Sequence, residues 1–240
     1  MQIIQTIAEL RRALNDQASI ALVPTMGNLH AGHLQLVNIA KQHAQCVVVS
    51  IFVNPLQFGA NEDLANYPRT LDADCEKLRL AGANIVFAPN VAEIYADFDG
   101  ENLNQSMTIN PSAIANELCG ASRPGHFAGV ATIVLKLFNI VFANAAQAKI
   151  AVFGQKDFQQ LFIIKQLVRQ FNLPINIIAA DTIRETNGLA MSSRNGYLST
   201  EHLSQACQLN NALQEIVSTL KHKTPDAVAV SFAELEQQAF

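Results

Sequence analysis

The amino-acid sequence predicts an α/β protein with a doubly wound parallel sheet, and two observations support this fold class. Short apolar runs rich in β-branched residues alternate along the chain with longer segments of helical periodicity, which is the pattern of βαβ units. Half of the 240 residues are hydrophobic and only 15% are charged, against roughly 25% in an average soluble domain. A parallel sheet that is buried on both faces accounts for this low charge.

Five runs are predicted as strands and the segments between them as helices. Each run is short, apolar and bounded by turn residues, which favours a buried strand. The predicted strands are Ile20 to Pro24, Cys46 to Val53, Asn84 to Ala88, Lys149 to Gly154 and Ile175 to Ala179. The predicted helices are His33 to His43, Leu71 to Leu80, Ala131 to Phe142 and Phe158 to Phe171. In such a fold, ligands bind beyond the carboxyl ends of the strands.

A second, smaller domain is predicted after residue 185. The segment Arg184 to Tyr197 is polar and contains glycine, and a long helix is predicted from about Thr200. Another helix is predicted at Thr224-Pro225-Asp226, with Thr as N-cap and Pro at the first helical position. The chain therefore divides into a Rossmann-like domain over residues 1–185 and an α+β C-terminal domain over 186–240. Its final helical pattern has no stop signal, so we expect the second domain to be incomplete.

Composition and charge exclude several function classes. The formal net charge is −4 and no cluster of Lys and Arg occurs, so no nucleic-acid partner is expected. The longest apolar stretch falls short of the roughly 18 residues of a membrane span, and the N-terminus lacks the apolar core of a secretion signal. The four cysteines are widely spaced, which favours free thiols in a reducing compartment. We expect a cytoplasmic protein with small-molecule ligands.

The most informative motif is His30-Ala31-Gly32-His33, where the first predicted strand gives way to a helix. Unpaired amides and the helix dipole make such a helix N-terminus attractive to phosphate. Two imidazoles three residues apart face the same side of the first turn, and with pKa values near neutrality they can donate hydrogen bonds to phosphate oxygens. Gly32 removes a Cβ where a flat nucleotide can pack on the backbone. The motif therefore predicts a nucleotide site.

Two other interpretations of this motif remain open. The H-x-x-H spacing also suits zinc, although no third ligand lies at a recognisable spacing. The histidines can also be ordinary polar residues at a helix start. The glycine between them favours the nucleotide.

Further motifs follow in the order found in one known family. Combined with the histidine motif, they make the chain as far as about Leu198 closely resemble the pantothenate synthetase family, the pantoate-β-alanine ligases of coenzyme A biosynthesis. H-x-G-H alone would indicate only the wider nucleotidyltransferase superfamily, which includes class I aminoacyl-tRNA synthetases. The further motifs are Asn54-Pro55-Leu56-Gln57-Phe58, Tyr67-Pro68-Arg69, Ser122 to Phe127, Phe153 to Gln160 and Met191-Ser192-Ser193-Arg194-Asn195.

The resemblance implies a reaction. It implies an enzyme that condenses (R)-pantoate with β-alanine to pantothenate in an ATP-dependent reaction through a pantoyl adenylate, releasing AMP and pyrophosphate. ATP would be a substrate, Mg²⁺ would be held through its phosphates without protein ligands, and a homodimer is expected. The pantoate carboxylate is already ionised at neutral pH, so its attack on the α-phosphate needs alignment and charge stabilisation but no general base.

The resemblance also implies roles for single residues. Of the four expected catalytic residues, His30 and His33 would bind the phosphates, with His33 in the acid role, whereas Lys156 and Arg194 would offset charge on the leaving pyrophosphate. The expected ATP contacts are Met26, Gly27, Asn28, Leu29, His30, Ala31, Gly32, His33, Gly154, Gln155, Lys156, Asp157, the backbone of Ile183 and the mobile loop Met191, Ser192, Ser193 and Arg194. The expected contacts with pantoate and β-alanine are Gln57, Gln160, Asn54, Tyr67 and Arg123.

Some of these motifs also have purely structural interpretations. Asp157 and Gln160 fit a variant capping box at the start of the helix from Phe158. Arg123 to His126 fit a simple turn, since Pro-Gly favours one, and Ser-Ser-Arg fits a polar loop. Two positions depart from the family: Ala31 and Gln155 stand where many members have acidic residues, so affinity or ion preference is expected to differ.

Two rival functions remain open. Another nucleotidyltransferase of the same fold would leave a nucleotidyl product rather than free AMP. A regulatory module would keep the nucleotide pocket without turnover. The intact histidines, Lys156 and Arg194 speak against the regulatory module, whereas an incomplete second domain favours it.

Overall fold

The computed structural model describes residues 1–221 apart from 60, 61, 63, 106, 144, 145 and 147. The chain forms two compact units, Met1–Thr182 and Ile183–Phe240, whereas the sequence suggested a boundary after residue 185. The helix expected at Thr224-Pro225-Asp226 and the end expected to be incomplete lie outside the described residues.

The first unit is built on one parallel sheet. Within the described residues the strands are β1 (Gln2–Ile4), β2 (Ser19–Thr25), β3 (Cys46–Ile51), β4 (Ile85–Phe87), β5 (Ala148–Gly154) and β6 (Asn176–Ala180). Their order is β1-β4-β3-β2-β5-β6, and neighbouring strands pair in parallel. The α/β class and the five predicted strands are confirmed. The edge strand β1 was missed because three residues are too few to display a period.

Helices cover both faces of this sheet, so that it has a core on each side. Along β2, Ile20 and Leu22 pack into one core and Ala21 and Val23 into the other, as the two-residue period of a strand requires. Among the described residues of this unit the helices are α1 (Ile7–Leu14), α2 (Ala31–His43), α3 (Leu71–Ala81), α4 (Val91–Ile94), α5 (Cys119–Ser122), α6 (His126–Val141) and α7 (Phe158–Gln170). Residues of α1, α6 and α7 belong to the first core, and residues of α2 and α3 belong to the second.

The four predicted helices of the first unit are confirmed, with one clear shift. Helix α6 begins at His126 instead of Ala131. Gly125 precedes it as N-cap with φ +81°, a left-handed conformation that glycine adopts without a steric cost. The predicted Pro-Gly turn therefore leads directly into the helix. In the described part of the chain, no helix is long and apolar enough to span a membrane.

The second unit contains two helices among its described residues, α8 (Thr200–Ala206) and α9 (Gln208–Leu220). The prediction of one long helix from about Thr200 is therefore wrong. Cys207 between them keeps helical backbone angles of φ −64° and ψ −26°. The interruption is thus a local change in hydrogen bonding, which the spacing of apolar residues does not report.

The strand order places three loops at one point of the sheet. From β2 the chain builds toward one edge through β3 and β4, whereas β5 and β6 build toward the other. The loop before α2 follows the carboxyl end of β2. The short turn Pro55–Gln57 follows that of β3, and the turn Gln155–Asp157 follows that of β5. A reversal of strand order of this kind is where doubly wound sheets bind ligands.

Candidate active site

The rings of His30 and His33 lie against each other at the start of α2, with centroids 4.1 Å apart. His30 is the N-cap, and its Nδ1 accepts a hydrogen bond of 3.1 Å from the Gly32 amide. The Nδ1 of His33 accepts one of 3.3 Å from the amide of His30. Because each Nδ1 is an acceptor, the proton of each neutral ring belongs on Nε2. The motif is a capping box made of two imidazoles, and it holds two Nε2–H donors together.

His33 is uncharged at neutral pH. Burial is the main cause, and the neighbouring basic side chains of His30, Lys156 and Lys77 add to it by opposing protonation, so that the pKa of His33 is lowered to about 3. The predicted pKa near neutrality is therefore wrong for His33, because the sequence does not display burial. The contribution of Lys156 indicates that this residue, in the turn after β5, lies near His33 in the first turn of α2.

A buried carboxylate holds the loop before α2. Asp74 of α3 is 0% exposed and accepts hydrogen bonds of 2.8 Å from the amides of Asn28 and Leu29. It also accepts one of 2.9 Å from the hydroxyl of Thr70. Lys77, one turn further along the helix, donates to the carbonyl of Leu29 at 2.7 Å. Helix α3 therefore fixes the shape of the loop through hydrogen bonds to two of the loop's amides and to one of its carbonyls.

The expectation of unpaired amides at this helix start is wrong for four residues. The amides of Asn28 and Leu29 are bound by Asp74, and those of His30 and Gly32 by the imidazoles. The protein supplies these acceptors itself, because buried amides without partners would be costly. These four amides are therefore already occupied, and the donors left at this helix start are largely those of side chains.

Asp74 was missed at the sequence level, although the sequence contained a signal. Its position three residues after Leu71 and four before Leu78 places it on the apolar face of the predicted helix. A carboxylate on that face needs partners. Gly27, with φ +86°, completes the fit, because a Cβ there would lie 3.2 Å from the Asp74 Oδ2.

Three residues predicted from two motifs meet beside β3. Asn54 is 1% exposed, and its Nδ2 donates to the Oε1 of Gln57 at 3.1 Å. The Nε2 of Gln57 donates to the Sδ of Met26 at 3.1 Å. The predicted pantoate residue therefore contacts the first residue of the predicted ATP loop.

Helix α6 approaches Gln57 closely through a glycine. A Cβ at Gly129 would lie 2.2 Å from the carbonyl oxygen of Leu56 and 2.7 Å from the amide nitrogen of Gln57. The Gly129 carbonyl accepts a hydrogen bond of 3.2 Å from Asn54. A glycine is therefore required where α6 supports the turn Pro55–Gln57.

Arg123 forms a two-point ion pair with Glu62. Its Nε lies 2.8 Å from Oε1 and its Nη2 2.5 Å from Oε2, and this hydrogen bonding is the main reason that the pKa of Glu62 is lowered. The Nη1 lies 3.0 Å from the Nε2 of His126, whose Nδ1 is 2.8 Å from the carbonyl oxygen of Gln57. Since a carbonyl only accepts, Nδ1 carries the proton. Arg123 and His126 thus support the Gln57 turn.

The other predicted substrate residues lie at different depths. Tyr67 is buried, and its ring meets Phe58 edge to face with centroids 5.8 Å apart. Gln160 is half-buried on α7. The capping-box interpretation of this region is wrong, because the Asp157 side chain makes no capping hydrogen bond; instead its Oδ1 lies 3.5 Å from the Nζ of Lys156. The capping-box interpretation therefore no longer competes with the predicted substrate role of Gln160.

Five predicted ATP residues, Ile183 and Met191 to Arg194, belong to the second unit. The amide of Met191 donates to the carbonyl of Ile183 at 3.0 Å. The Ser192 hydroxyl accepts a hydrogen bond of 3.2 Å from the amide of Arg194, and the Ser192 carbonyl accepts one of 3.1 Å from Asn195. The predicted adenine contact and phosphate loop are thus neighbours in this unit. Their roles in ATP binding remain predictions.

Within the described ranges, no group of three or more His, Cys, Asp or Glu side chains is placed to hold a metal ion. The Nδ1 atoms of both histidines are taken by main-chain amides.

Comparison with known sequences identifies similar proteins along the whole chain. A model of the family described as pantoate-beta-alanine ligase matches residues 2–239. The pantothenate synthetase of Methylobacillus flagellatus is 61% identical over 230 residues, which cover 96% of this chain and 79% of that protein. The pantothenate synthetase of Thiobacillus denitrificans is 53% identical over 240 residues, which cover 100% of this chain and 79% of that protein.

Solved structures agree with these sequence matches. Pantothenate synthetase from Thermus thermophilus superposes with a TM-score of 0.84 at 40% identity, covering 99% of this chain and 83% of that one. Pantoate-beta-alanine ligase from Francisella tularensis, solved in complex with beta-gamma ATP and beta-alanine, gives a TM-score of 0.77 at 35% identity, covering 98% of this chain and 86% of that one.

Proposed function

The chain belongs to the pantoate-beta-alanine ligase family, and we propose that its sheet edge beyond β2, β3 and β5 condenses pantoate with β-alanine in an ATP-dependent reaction. The main support for this site is the pair of His30 and His33. Lys156, in the turn after β5, lies near enough to affect the pKa of His33. The two rival functions lose support, because the related chains are named as pantothenate synthetases over almost the whole length of this one.

The first step transfers the adenylyl group of ATP. A carboxylate oxygen of pantoate attacks the α-phosphorus, the bond to the bridging oxygen breaks, and pyrophosphate leaves with the electron pair. Negative charge grows on that leaving group. The Nε2–H groups of His30 and His33 are proposed to donate hydrogen bonds to it, and Lys156 is proposed to supply a positive charge. His33 acts here as a neutral hydrogen-bond donor, because its proton on Nε2 is already in place without ionisation of the ring.

The second step forms the amide. The deprotonated amine of β-alanine attacks the acyl carbon of the adenylate, AMP leaves with the electron pair of the broken carbon–oxygen bond, and the attacking nitrogen loses a proton to water. The family resemblance supports the proposal that Gln57 holds pantoate and then β-alanine, and its Nε2 lies beside Met26 of the predicted ATP loop. Alignment of the two reactants contributes to the acceleration expected at such a site.

Binding of pantoate is proposed to involve Asn54, Tyr67, Arg123 and Gln160 as well. The guanidinium of Arg123 is paired with Glu62, so a substrate carboxylate that reaches it must share Arg123 or displace Glu62. This competition makes Arg123 a modest contributor to affinity rather than the main anchor.

Mg²⁺ is proposed to enter the site as part of the ATP substrate. The carboxylate against the ATP loop, Asp74, already accepts hydrogen bonds from two amides and a hydroxyl. It therefore suits a main-chain anchor better than a metal ligand, and Mg²⁺ usually reaches such sites through phosphate oxygens and water.

The second unit is proposed to complete ATP binding, and this assignment rests on the resemblance of its motif. Arg194 would grip phosphate at two points, Ser192 and Ser193 would donate from their hydroxyls, and the backbone of Ile183 would meet the adenine. We also propose a cytoplasmic homodimer. The family resemblance supports both statements, and the four unpaired cysteines fit a reducing compartment.

The proposed function is tested by incubating the chain with Mg²⁺, ATP, pantoate and β-alanine and by omitting each substrate in turn. AMP release that requires pantoate, together with pantothenate formation that requires β-alanine, is expected. A stable nucleotidyl product would favour another nucleotidyltransferase. ATP binding without turnover would favour a regulatory protein.

A further inference from the structure

A buried tyrosine lies behind the predicted substrate residues. Tyr95 is 1% exposed, and its hydroxyl donates a hydrogen bond of 2.6 Å to the Oδ1 of Asn54. Burial raises the pKa of this phenol, so the hydroxyl keeps its proton and remains a donor. Neither the sequence motifs nor the family resemblance pointed to Tyr95.

The orientation of the Asn54 amide is fixed from both ends. Its Oδ1 receives the Tyr95 hydroxyl and, at 3.4 Å, the amide of Leu56. Its Nδ2 faces the carbonyl of Gly129 at 3.2 Å and the Oε1 of Gln57 at 3.1 Å. A carbonyl only accepts and a main-chain amide only donates, so rotating the Asn54 amide by 180° would oppose like groups on both sides.

The orientation of the Asn54 amide determines the orientation of the Gln57 amide. Because Nδ2 of Asn54 is a donor, it selects the Oε1 of Gln57 and turns the Nε2 of Gln57 away from itself, toward Met26 at 3.1 Å. A thioether sulfur is a weak acceptor. A carboxylate or hydroxyl oxygen that replaces it gains a stronger hydrogen bond from the same N–H.

We propose that Tyr95 is a positioning residue that, through Asn54, orients the Gln57 amide as a hydrogen-bond donor to the oxygens of pantoate. The relay makes Gln57 select an acceptor-rich hydroxy acid over a ligand that donates at the same point. It rests on the proposed assignment of Gln57 to pantoate, and it adds a buried residue that holds the orientation of that contact.

The substitution Tyr95→Phe isolates the hydroxyl, because the ring has contacts of its own. The ring centroid lies 6.2 Å from that of Phe52 and 5.0 Å from the Nζ of Lys136, and Phe retains both contacts. Loss of one donor to a buried acceptor leaves the Asn54 amide less firmly oriented. We expect the KM for pantoate to rise about three- to tenfold, with kcat and the KM for ATP within about twofold of wild type.

Lys136→Met is the matched control. It removes the charge above the same ring and a hydrogen bond of 3.0 Å to the carbonyl of Ile94, but it leaves the hydroxyl of Tyr95 in place. Its KM for pantoate should remain at the wild-type value even if its thermal stability falls. A rise equal to that of Tyr95→Phe would mean that any disturbance of the ring suffices, which overturns the relay.

A double-mutant cycle separates a relay from an independent effect. Gln57→Ala removes the group through which Tyr95 is proposed to act, so Tyr95→Phe should add nothing to its KM for pantoate. Effects that multiply in the double variant would overturn the proposal, as would an unchanged KM in Tyr95→Phe alone.

A readout without turnover distinguishes failure of the relay from failure of the proposed function. In ¹⁵N-labelled protein, the side-chain amide signals of Gln57, assigned by their loss in Gln57→Ala, should shift in Tyr95→Phe and stay in place in Lys136→Met. Unchanged signals in Tyr95→Phe would contradict the relay whatever the enzyme catalyses. Absence of pantoate-dependent AMP release by wild-type protein would instead contradict the proposed function.

Discussion

The buried carboxylate of Asp74 accepts a hydrogen bond of 2.8 Å from the main-chain amide of Leu29, and this contact ties α3 to the loop that carries the two histidines. A second hydrogen bond of 2.8 Å comes from the amide of Asn28. The loop is therefore shaped by the protein before any nucleotide binds. Preorganisation of this kind lowers the entropic cost of binding ATP.

Replacing Asp74 by Asn should weaken both the fold and ATP binding. The amide retains the volume but offers one oxygen where the carboxylate serves three donors. At least one buried donor is left without an acceptor, so we expect the free energy of unfolding to fall by about 2 kcal/mol. The KM for ATP should rise with it. Urea denaturation and steady-state kinetics measure the two effects.

Asp72→Asn is the control for that variant, because Asp72 lies on the same helix turn and is exposed. Loss of its charge near the helix N-terminus should cost no more than about 1 kcal/mol and leave the KM for ATP unchanged. Equal effects in the two variants would refute the role assigned to Asp74.

His33 should remain uncharged across the physiological pH range in the protein without ligand. Its pKa of about 3 in the folded state lies below the value near 6.5 of an unfolded chain. Between these values only the unfolded state binds the proton, so the free energy of unfolding should decrease as the pH falls from about 6.5 toward 3. Above about 6.5 this group adds no pH dependence.

Two measurements check the state of His33. Its ring signals in NMR, assigned by comparison with His33→Gln, should show no titration between pH 5 and 8. The free energy of unfolding of His33→Gln should decrease less than that of wild type on acidification. A midpoint near pH 6.5 in the ring signals would contradict the burial-driven shift.

The site was predictable where a motif stands directly after a strand. The strand β2 and the start of α2 follow from apolar periodicity, so His30 and His33 were placed together correctly. Glu62 was not found, because its partner Arg123 is distant in the chain. Asp74 was missed although its place on the apolar face of the predicted helix was a signal, because the amides that it binds lie on a distant segment. The pKa of His33 was misjudged for the same reason, since burial depends on packing that a local pattern does not contain.

Gly129→Ala should disturb the turn that presents Gln57. The new methyl group would lie 2.2 Å from the carbonyl oxygen of Leu56, so the main chain has to move. We expect a loss of about 3 kcal/mol in the free energy of unfolding and a raised KM for pantoate. Gly196→Ala is the control, because a Cβ there has nothing within 4 Å, and its stability should change by at most about 1 kcal/mol. A fully stable Gly129→Ala variant would contradict the close packing.

Lys156→Ala should slow adenylation far more than it weakens ATP binding. The positive charge is needed most when pyrophosphate departs, so the single-turnover rate should fall about 10²- to 10³-fold, whereas the Kd for ATP from calorimetry should change little. Lys165→Ala, at an exposed position of α7, should behave as wild type. Equal losses in rate and affinity would move Lys156 from the transition state to ground-state binding.

The second unit marks where prediction from the sequence was weakest. The motif from Met191 to Arg194 was recognised by resemblance. The hydrogen bond between Met191 and Ile183 brings the predicted phosphate loop next to the predicted adenine contact. Apolar periodicity did not separate α8 from α9, because Cys207 keeps a helical backbone. Local sequence thus identified the motif but not the hydrogen bonding of its surroundings.

The reaction path is tested most directly by following oxygen from pantoate. With both carboxylate oxygens labelled with ¹⁸O, attack on the α-phosphorus followed by amide formation should leave one labelled oxygen in AMP and one in pantothenate. Mass spectrometry of AMP from a complete reaction reads the result. Unlabelled AMP, or ADP formed together with labelled inorganic phosphate, would contradict an adenylate made at the His30–His33 site.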